Sequence, residues 1–452
     1  MSIQQYVLEK FDGNLEWFVE ECDSVANRQR VNEILDIKDY LSGVHAILQR
    51  PNEMFNGKEF ESRRIILQYA KTILNFQSSY LLQKNITLTG NENVVKEFKN
   101  VYRKGKYNRI DFDILDKLTK YGNAYEYVYM DENKDIKSKI IMPEDSYPVY
   151  DHENKMIAFI EFYNVDNIDY YTVYYEDRVE KYNNKGGQLR LSGVFENLSG
   201  LPIAYVNQNE LDPCFGRSDL KDIISILDSM EDLISKATDA YYKHIIGIPV
   251  VTGQQLKGDG LPTHIVGGGL ALDDGATFDF VSNKFDYQAF ESIYKTLTSA
   301  LLDIANIPAV SMSKTDISNL SEVSIKLLFS LSDMKAGLNE KYMRAGMEQR
   351  FEKIRKLLEL KGITFSDEEF DSLDVVFQYA RPQNEKDIID NLKTLNDMKA
   401  ISLETILENS PYITDVSQEL MRLKDNQMGN NTGNNDSQES MESDDLGNNS
   451  GK

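Results

Sequence analysis

The residue types most often recruited for catalysis or metal binding are sparse in this chain and poorly spaced. His45, His152, His244 and His264 are the only four histidines. None falls in an HExxH pair or beside a second ligand at zinc-site spacing, so zinc chemistry has no footing. Cys22 and Cys214 stand far apart without a CxxC, which argues against a thiolate metal site or a disulfide framework and fits a reducing cytoplasm. There is no GxxxxGK followed by Ser or Thr to cradle a phosphate, and no GxSxG elbow. The glycines at 267–269 lack the GxGxxG spacing and the following helix of a dinucleotide site. Carboxylates are plentiful, but among 73 acidic residues chance pairs are expected everywhere, so no hydrolase pair stands out. No catalytic residue, metal ligand or cofactor is expected, and an enzyme is the weakest reading.

The one stretch whose composition asks for a role is NIPAVSMSKTDISNLSEV, Asn306 to Val323, between two amphipathic helical segments. Two packed helices need only a few turn residues, yet this loop is long and rich in small polar ones. It cannot pack a core, which leaves flexibility, contact with something polar, or disorder.

The elements around it follow from periodicity. Residues 1 to about 85 read as helical, with Ile65, Ile66, Tyr69, Ile73, Phe76 and Tyr80 near one stripe, and helices continue through Val94, Phe98, Val101, Phe112, Leu115 and Leu118. From Tyr121 the period changes to two, and Tyr, Val and Ile alternate between turn signals such as DENK, DHENK and NNKGG, predicting antiparallel strands. The dense tyrosines serve sheet packing in the favoured reading and a base-stacking platform in the other. A helix follows Ser218 or Asp219 as N-cap, with its stripe at Leu220, Ile223, Leu227, Met230, Ile234, Ala237 and Tyr241. A glycine-rich insert over 247–285 carries short strand-like pieces and turns, and a second helix places Tyr287, Phe290, Tyr294, Leu297 and Leu301 on one side.

Beyond the loop a long helix is predicted from Leu320 to Lys361, about 60 Å if straight. It has a stripe at Val323, Leu327, Leu331, Met334, Leu338, Tyr342, Ala345 and Phe351, with bends expected at Gly337 and Gly346. LDVVFQYARP reads as one returning strand, Ser402 as a helix cap, and the Asn, Gly, Ser and acid tail as disordered.

With 452 residues and 41% hydrophobic content the chain can bury sizeable cores, so most of it should fold. A net charge of −23 excludes a tight, sequence-reading nucleic-acid binder, which needs a basic face, but not a hole that nucleic acid slides past. No run is long and apolar enough to span a membrane and no secretory h-region opens the chain, so a soluble, non-exported protein is expected.

Taken in order, YLSGVHAIL, YAKTILNFQSSYLLQKNITL, LTKYGNAYEYVYMDE, IMPEDSYPVYD, GLPIAYVNQNELDPCFGRSDL and NIPAVSMSKTDISNLSEVSIKLL resemble the portal, or head-to-tail connector, proteins of tailed bacteriophages. The similarity is to the branch typical of phages of Gram-positive bacteria and reaches to about residue 425. It implies an α+β, portal-like fold: a wing of helices and antiparallel strands over 1–216, and paired stem helices at 217–246 and 285–305. A clip lies at 247–284, a tunnel loop at 306–319, the long spine helix and returning wing strand over 320–384, a helical crown at 385–425, and a disordered acidic tail at 426–452.

The resemblance also implies the partners. Copies would close into a ring, twelve in the virion, around a hole for double-stranded DNA in transit. The clip would meet the terminase large subunit and then the head-completion adaptor, with major capsid and scaffolding proteins alongside. Assembly would occur in the host cytoplasm and the final location would be the portal vertex of the capsid, with no membrane partner. The tunnel loop would offer Ser311, Ser313, Lys314, Thr315, Ser318 and Asn319 to DNA, with Lys314 opposed by Asp316. Hydroxyls and amides touch phosphates weakly and exchange easily, whereas a lysine-rich lining would grip. Twelve copies would carry roughly 276 negative charges, keeping the duplex off most of the wall. A helical scaffold or adaptor without a channel remains the alternative.

Overall fold

The computed structural model describes residues 1–55, 58–245, 248–253, 274–281, 286–308, 322–382, 385–413, 416 and 418–423. Helices α1 (Ile3–Phe11), α2 (Trp17–Cys22) and α3 (Val25–Ser42) open the chain. Ser2 and Ser24 start the first and third by accepting the amides of Gln5 and Asn27, which no helical carbonyl can reach. After a 3-10 turn at Ala46–Gln49 come strands β1 (Glu53–Phe55) and β2 (Lys58–Phe60), then an extended segment, then α4 (Tyr69–Leu82). Ile65 and Ile66, expected on a helical stripe, lie in that extended segment instead. Strand β3 (Thr87–Thr89) and helices α5 (Glu92–Gly105) and α6 (Tyr107–Tyr121) complete the opening region.

The alternating stretch forms eight strands: β4 (Asn123–Met130), β5 (Ile136–Ile141), β6 (Ser146–Tyr150), β7 (Met156–Val165), β8 (Ile168–Tyr174), β9 (Arg178–Asn183), β10 (Arg190–Glu196) and β11 (Ile203–Val206). They make two antiparallel sheets, ordered β10-β9-β8-β7-β6 and β11-β4-β5. Tyr6, Trp17 and Phe18 of the first two helices pack on Val149, Ile160 and Val173 of the larger sheet. Tyr125 and Tyr174 pack with Phe159 in a second cluster. Sheet packing therefore takes many of the tyrosines, as strand preference suggests.

A 3-10 turn at Asp219–Asp222 leads into α7 (Ile224–Ile245). Ser218 caps that turn, accepting the Leu220 amide, rather than the long helix itself. Strands β12 (Ile248–Thr252) and β13 (Thr277–Val281) pair antiparallel, and α8 (Tyr287–Ile304) follows. The helix expected over 320–361 is instead two, α9 (Glu322–Leu328) and α10 (Ser330–Leu360), interrupted at Phe329. The break is not at a glycine: α10 runs unbroken through Gly337 and Gly346. Gly346 is there for close approach, since a Cβ at that position would lie 2.2 Å from the Tyr205 ring. A short α11 (Asp367–Asp371) precedes β14 (Asp374–Val376), which pairs with β3 and is the returning strand read from LDVVF.

Two compact units divide these elements: α9, α12 (Glu385–Asp397) and α13 (Leu403–Asn409) form the second, and all the others the first. Ser402 caps α13 by accepting the Thr405 amide. The residues of the expected acidic tail lie outside the described ones.

In α10 the core takes Ala336, Met343, Met347, Ile354 and Leu357. The stripe read from the sequence points the other way over the first half of the helix: Leu331, Met334 and Leu338 are 42%, 67% and 40% exposed. Val323 and Leu327 on α9 are exposed as well, while Phe351 is buried.

Candidate functional site

Helices α7 and α8 pack through one apolar cluster in which Leu227 and Met230 meet Leu301 and Leu302, with Ile73 and Leu74 of α4 behind them. Tyr294 of α8 holds Tyr69 across the same junction, hydroxyl to hydroxyl at 3.1 Å.

On its other side α7 grips the extended segment before α4. The amides of Arg63, Ile65 and Leu67 donate to Asp239 Oδ1, Ser235 Oγ and Glu231 Oε1 at 3.0, 3.0 and 2.7 Å. Alternate amides of an extended chain recur about every 6.6 Å and every fourth residue of a helix about every 6 Å, so the two repeats run in step when the chains are antiparallel. Sequence reasoning missed this clasp, although the polar row Glu231, Ser235 and Asp239 at a strict spacing of four beside the apolar stripe was its signal.

His45 extends the clasp to the end of α3. Its Nδ1 lies 2.8 Å from Glu231 Oε1 and its Nε2 2.9 Å from the Tyr40 carbonyl, while its ring stacks on Tyr40. A carbonyl can only accept, so Nε2 carries a proton, and the carboxylate contact needs another. Burial raises the Glu231 carboxyl above its ordinary range, against the opposing pull of the Leu67 amide and His45.

The end of α8 shows how the loop after it is launched. The Asn306 amide reaches the Asp303 carbonyl and the Ile307 amide the Leu302 carbonyl, the paired bonds of a Schellman cap. Asn306 takes the left-handed conformation at φ 57, and Ile307 and Leu302 share the same buried cluster. Two side chains then pin the exit: Gln77 donates to the Ala305 carbonyl at 3.0 Å and Ser332 to the Asn306 carbonyl at 2.7 Å. Tyr80 donates to Asp333 at 2.6 Å and stacks on Phe329, while Lys335 pairs with Asp219 at 2.9 Å. Ala305 and Asn306 before the loop, and Phe329 after α9, thus sit on braced supports. The predicted loop residues Ser311, Ser313, Lys314, Thr315, Ser318 and Asn319 themselves lie outside the described residues, as does most of the 247–284 insert.

Helix α10 is held further along by a fully buried guanidinium. Arg350 donates through Nε to Glu126 at 2.9 Å, through Nη1 to Tyr102 at 3.2 Å, and also to Asp111. Tyr205 donates to Glu126 at 2.7 Å. One cation thus joins α10, α6 and β4, and burial pushes the Asp111 carboxyl up to about 6 although Arg350 opposes it. This constellation has no reactive opening; it is a brace.

The family profile described as phage portal protein, SPP1 Gp6-like, matches residues 25–432 of the chain. The chain belongs to this portal family. The portal protein of Bacillus phage SPP1 is 22% identical over 390 residues, covering 78% of this chain and 74% of that one. Among solved structures, a chain in the virion of a native gene transfer agent particle aligns over 75% of this portal chain and 88% of its own length, with TM-score 0.42 and 10% identity. A chain from the neck of an empty gene transfer agent particle aligns over 78% and 88%, with TM-score 0.44 and 8% identity. None of the clasp, the Arg350 brace or the loop supports was visible to motif reading, because nearly all of their contacts join residues more than 100 positions apart. The thiols of the portal chain, Cys22 and Cys214, are free, Cys22 buried and Cys214 partly so.

Proposed function

We propose that this portal chain is one subunit of a closed ring at the capsid vertex of a tailed phage, through which double-stranded DNA is packaged and ejected. The observation that carries the reading is the family match over residues 25–432. In this reading α7 and α8 are the stem, the 247–284 insert is the clip that meets the terminase large subunit and later the head-completion adaptor, and residues 385–425 form the crown. Residues 1–216 and the returning strand form the wing beside major capsid and scaffolding proteins. Twelve copies close the ring in the virion.

Two features of the chain support ring closure and passage. Leu331, Met334 and Leu338 form an apolar row turned away from the chain's own core, which a second copy would cover. Ser292, Thr296, Ser299 and Asp303 recur along one exposed side of α8, where the cation Lys295 is paired with Glu291 at 3.1 Å. Such a side would line a hole without holding a passing polyanion, and the loop 306–319 continues that chemistry with Ser311, Ser313, Thr315, Ser318 and Asn319, its Lys314 opposed by Asp316.

Packaging measured in a reconstituted head system tests the loop. The double variant Ser313→Lys, Asn319→Lys is expected to package more slowly, with a steeper dependence on salt, since each added phosphate contact adds a counterion-release term. An unchanged rate and salt slope would remove the loop from the account.

A further inference from the structure

The five-stranded sheet ends at β10, and among the described residues no strand pairs with the outer side of β10. A bare edge offers a row of amides and carbonyls to any extended chain, and proteins guard such edges with charge, proline or burial. β10 has a bulge between Leu191 and Gly193, but its side chains do not guard it. Leu191, Val194 and Phe195 are 52%, 54% and 54% exposed, and every residue of the strand except Gly193 is exposed.

Over one face of this sheet, reaching from β7 to Phe195 on β10, lies a groove of about 520 Å³ lined by Tyr127, Tyr163, Tyr170, Lys181 and Phe195 among others. Tyr163 and Tyr170 stack at 5.3 Å. Tyrosine offers a large amphipathic contact at little rotamer cost, which suits it to recognition. The charge of the hairpin is opposite to that of the chain: from Lys181 to Phe195 there are three cations, Lys181, Lys185 and Arg190, and no carboxylate, in a protein of net charge −23. Their cationic neighbours are already satisfied, Arg178 by Asp177 and Glu180, Lys139 by Glu161. Lys181 lies over the Phe195 ring at 5.1 Å, and none of the three meets a carboxylate among the described residues.

We propose that β10 is a docking edge for an acidic, extended segment of a partner protein. The segment pairs as a sixth strand, turns its carboxylates to the face that carries Lys181, Arg190 and the Phe195 end of the tyrosine groove, with Lys185 at the turn, and sets its alternate apolar side chains beside Leu191 and Val194 on the other face. Strand addition supplies the affinity through backbone hydrogen bonds, and the groove and the cations supply the selection. A single-stranded nucleic acid fits less well, because a sugar-phosphate backbone cannot complete the ladder of amides and carbonyls that the β10 edge offers.

The probe is a labelled synthetic peptide of about nine residues in which glutamate alternates with valine or tyrosine, long enough for one strand. It is titrated against the full chain by fluorescence anisotropy, beside a lysine-for-glutamate counterpart and an oligothymidylate. Saturable binding of the acidic peptide alone is expected, with slowed amide exchange confined to β10 and its neighbours. The triple variant Lys181→Glu, Lys185→Glu, Arg190→Glu changes only surface side chains and should weaken binding roughly tenfold or more. Absence of saturable binding, equal binding of the basic peptide or the oligonucleotide, unchanged β10 exchange, or unaltered affinity of the triple variant would each overturn the proposal.

Discussion

Arg350 of α10 ties together α5, α6 and β4 through Tyr102, Asp111 and Glu126. It is fully buried between Asp111 and Glu126, with Tyr102, Tyr107 and Tyr205 around it. Removing the cation strands two carboxylates in the interior, so Arg350→Leu is expected to lower stability by about 3–5 kcal/mol in denaturant titrations. The loss should be smaller at pH 5 than at pH 8, because protonation can relieve the stranded carboxyls. Asp111 gives a separate pH signature. Its folded carboxyl, raised to about 6 from 3.8, binds a proton more tightly than in the unfolded chain. That contribution is full below about pH 4 and is lost as pH rises through about 6. The stability of the wild type relative to Asp111→Asn should therefore fall by about 3 kcal/mol between pH 4 and 7. A flat difference across that range would show that Asp111 is ionised throughout.

At the scale of elements, the clasp on α7 is the feature whose energetics can be read most simply. Ser235 accepts the Ile65 amide in a fully buried place, so Ser235→Ala removes only the hydroxyl and orphans the amide, at an expected cost of about 1–3 kcal/mol in thermal or denaturant unfolding. Where periodicity stated the truth, it did so because one face meets one core: the predicted stripe buries Leu220 and Ile223 just before α7 and Leu227 and Met230 on α7, and the Tyr-rich stretch forms antiparallel strands. It failed where a residue answers to something outside its own segment. Ile65 and Ile66 have helical spacing, but their backbone is drawn straight by acceptors on α7 about 170 residues away. Leu331, Met334 and Leu338 have the spacing of a core stripe, yet the chain's own core takes the opposite side with Ala336, Met343 and Met347. Gly346 resembled a hinge and is a contact for Tyr205. The start of the polar loop was legible to the residue, because Asn306 followed by Ile and Pro is a helix stop with a physical cause.

At the scale of the whole molecule, the account rests on copies of this portal-family chain closing around an opening whose lining attracts DNA only weakly. The net charge of −23 per chain disfavours adhesion of a polyanion, and the apolar row on α10 gives neighbouring copies a reason to associate. Among the described residues no helix is long and apolar enough to cross a membrane. The most direct measurement is negative-stain imaging of the purified full-length chain, read together with its native mass. The account predicts a closed ring with a central hole, and single chains of unchanged helix content when Leu331, Met334 and Leu338 are all replaced by serine. Isolated single chains from the wild type, or a closed assembly without a hole, would contradict it.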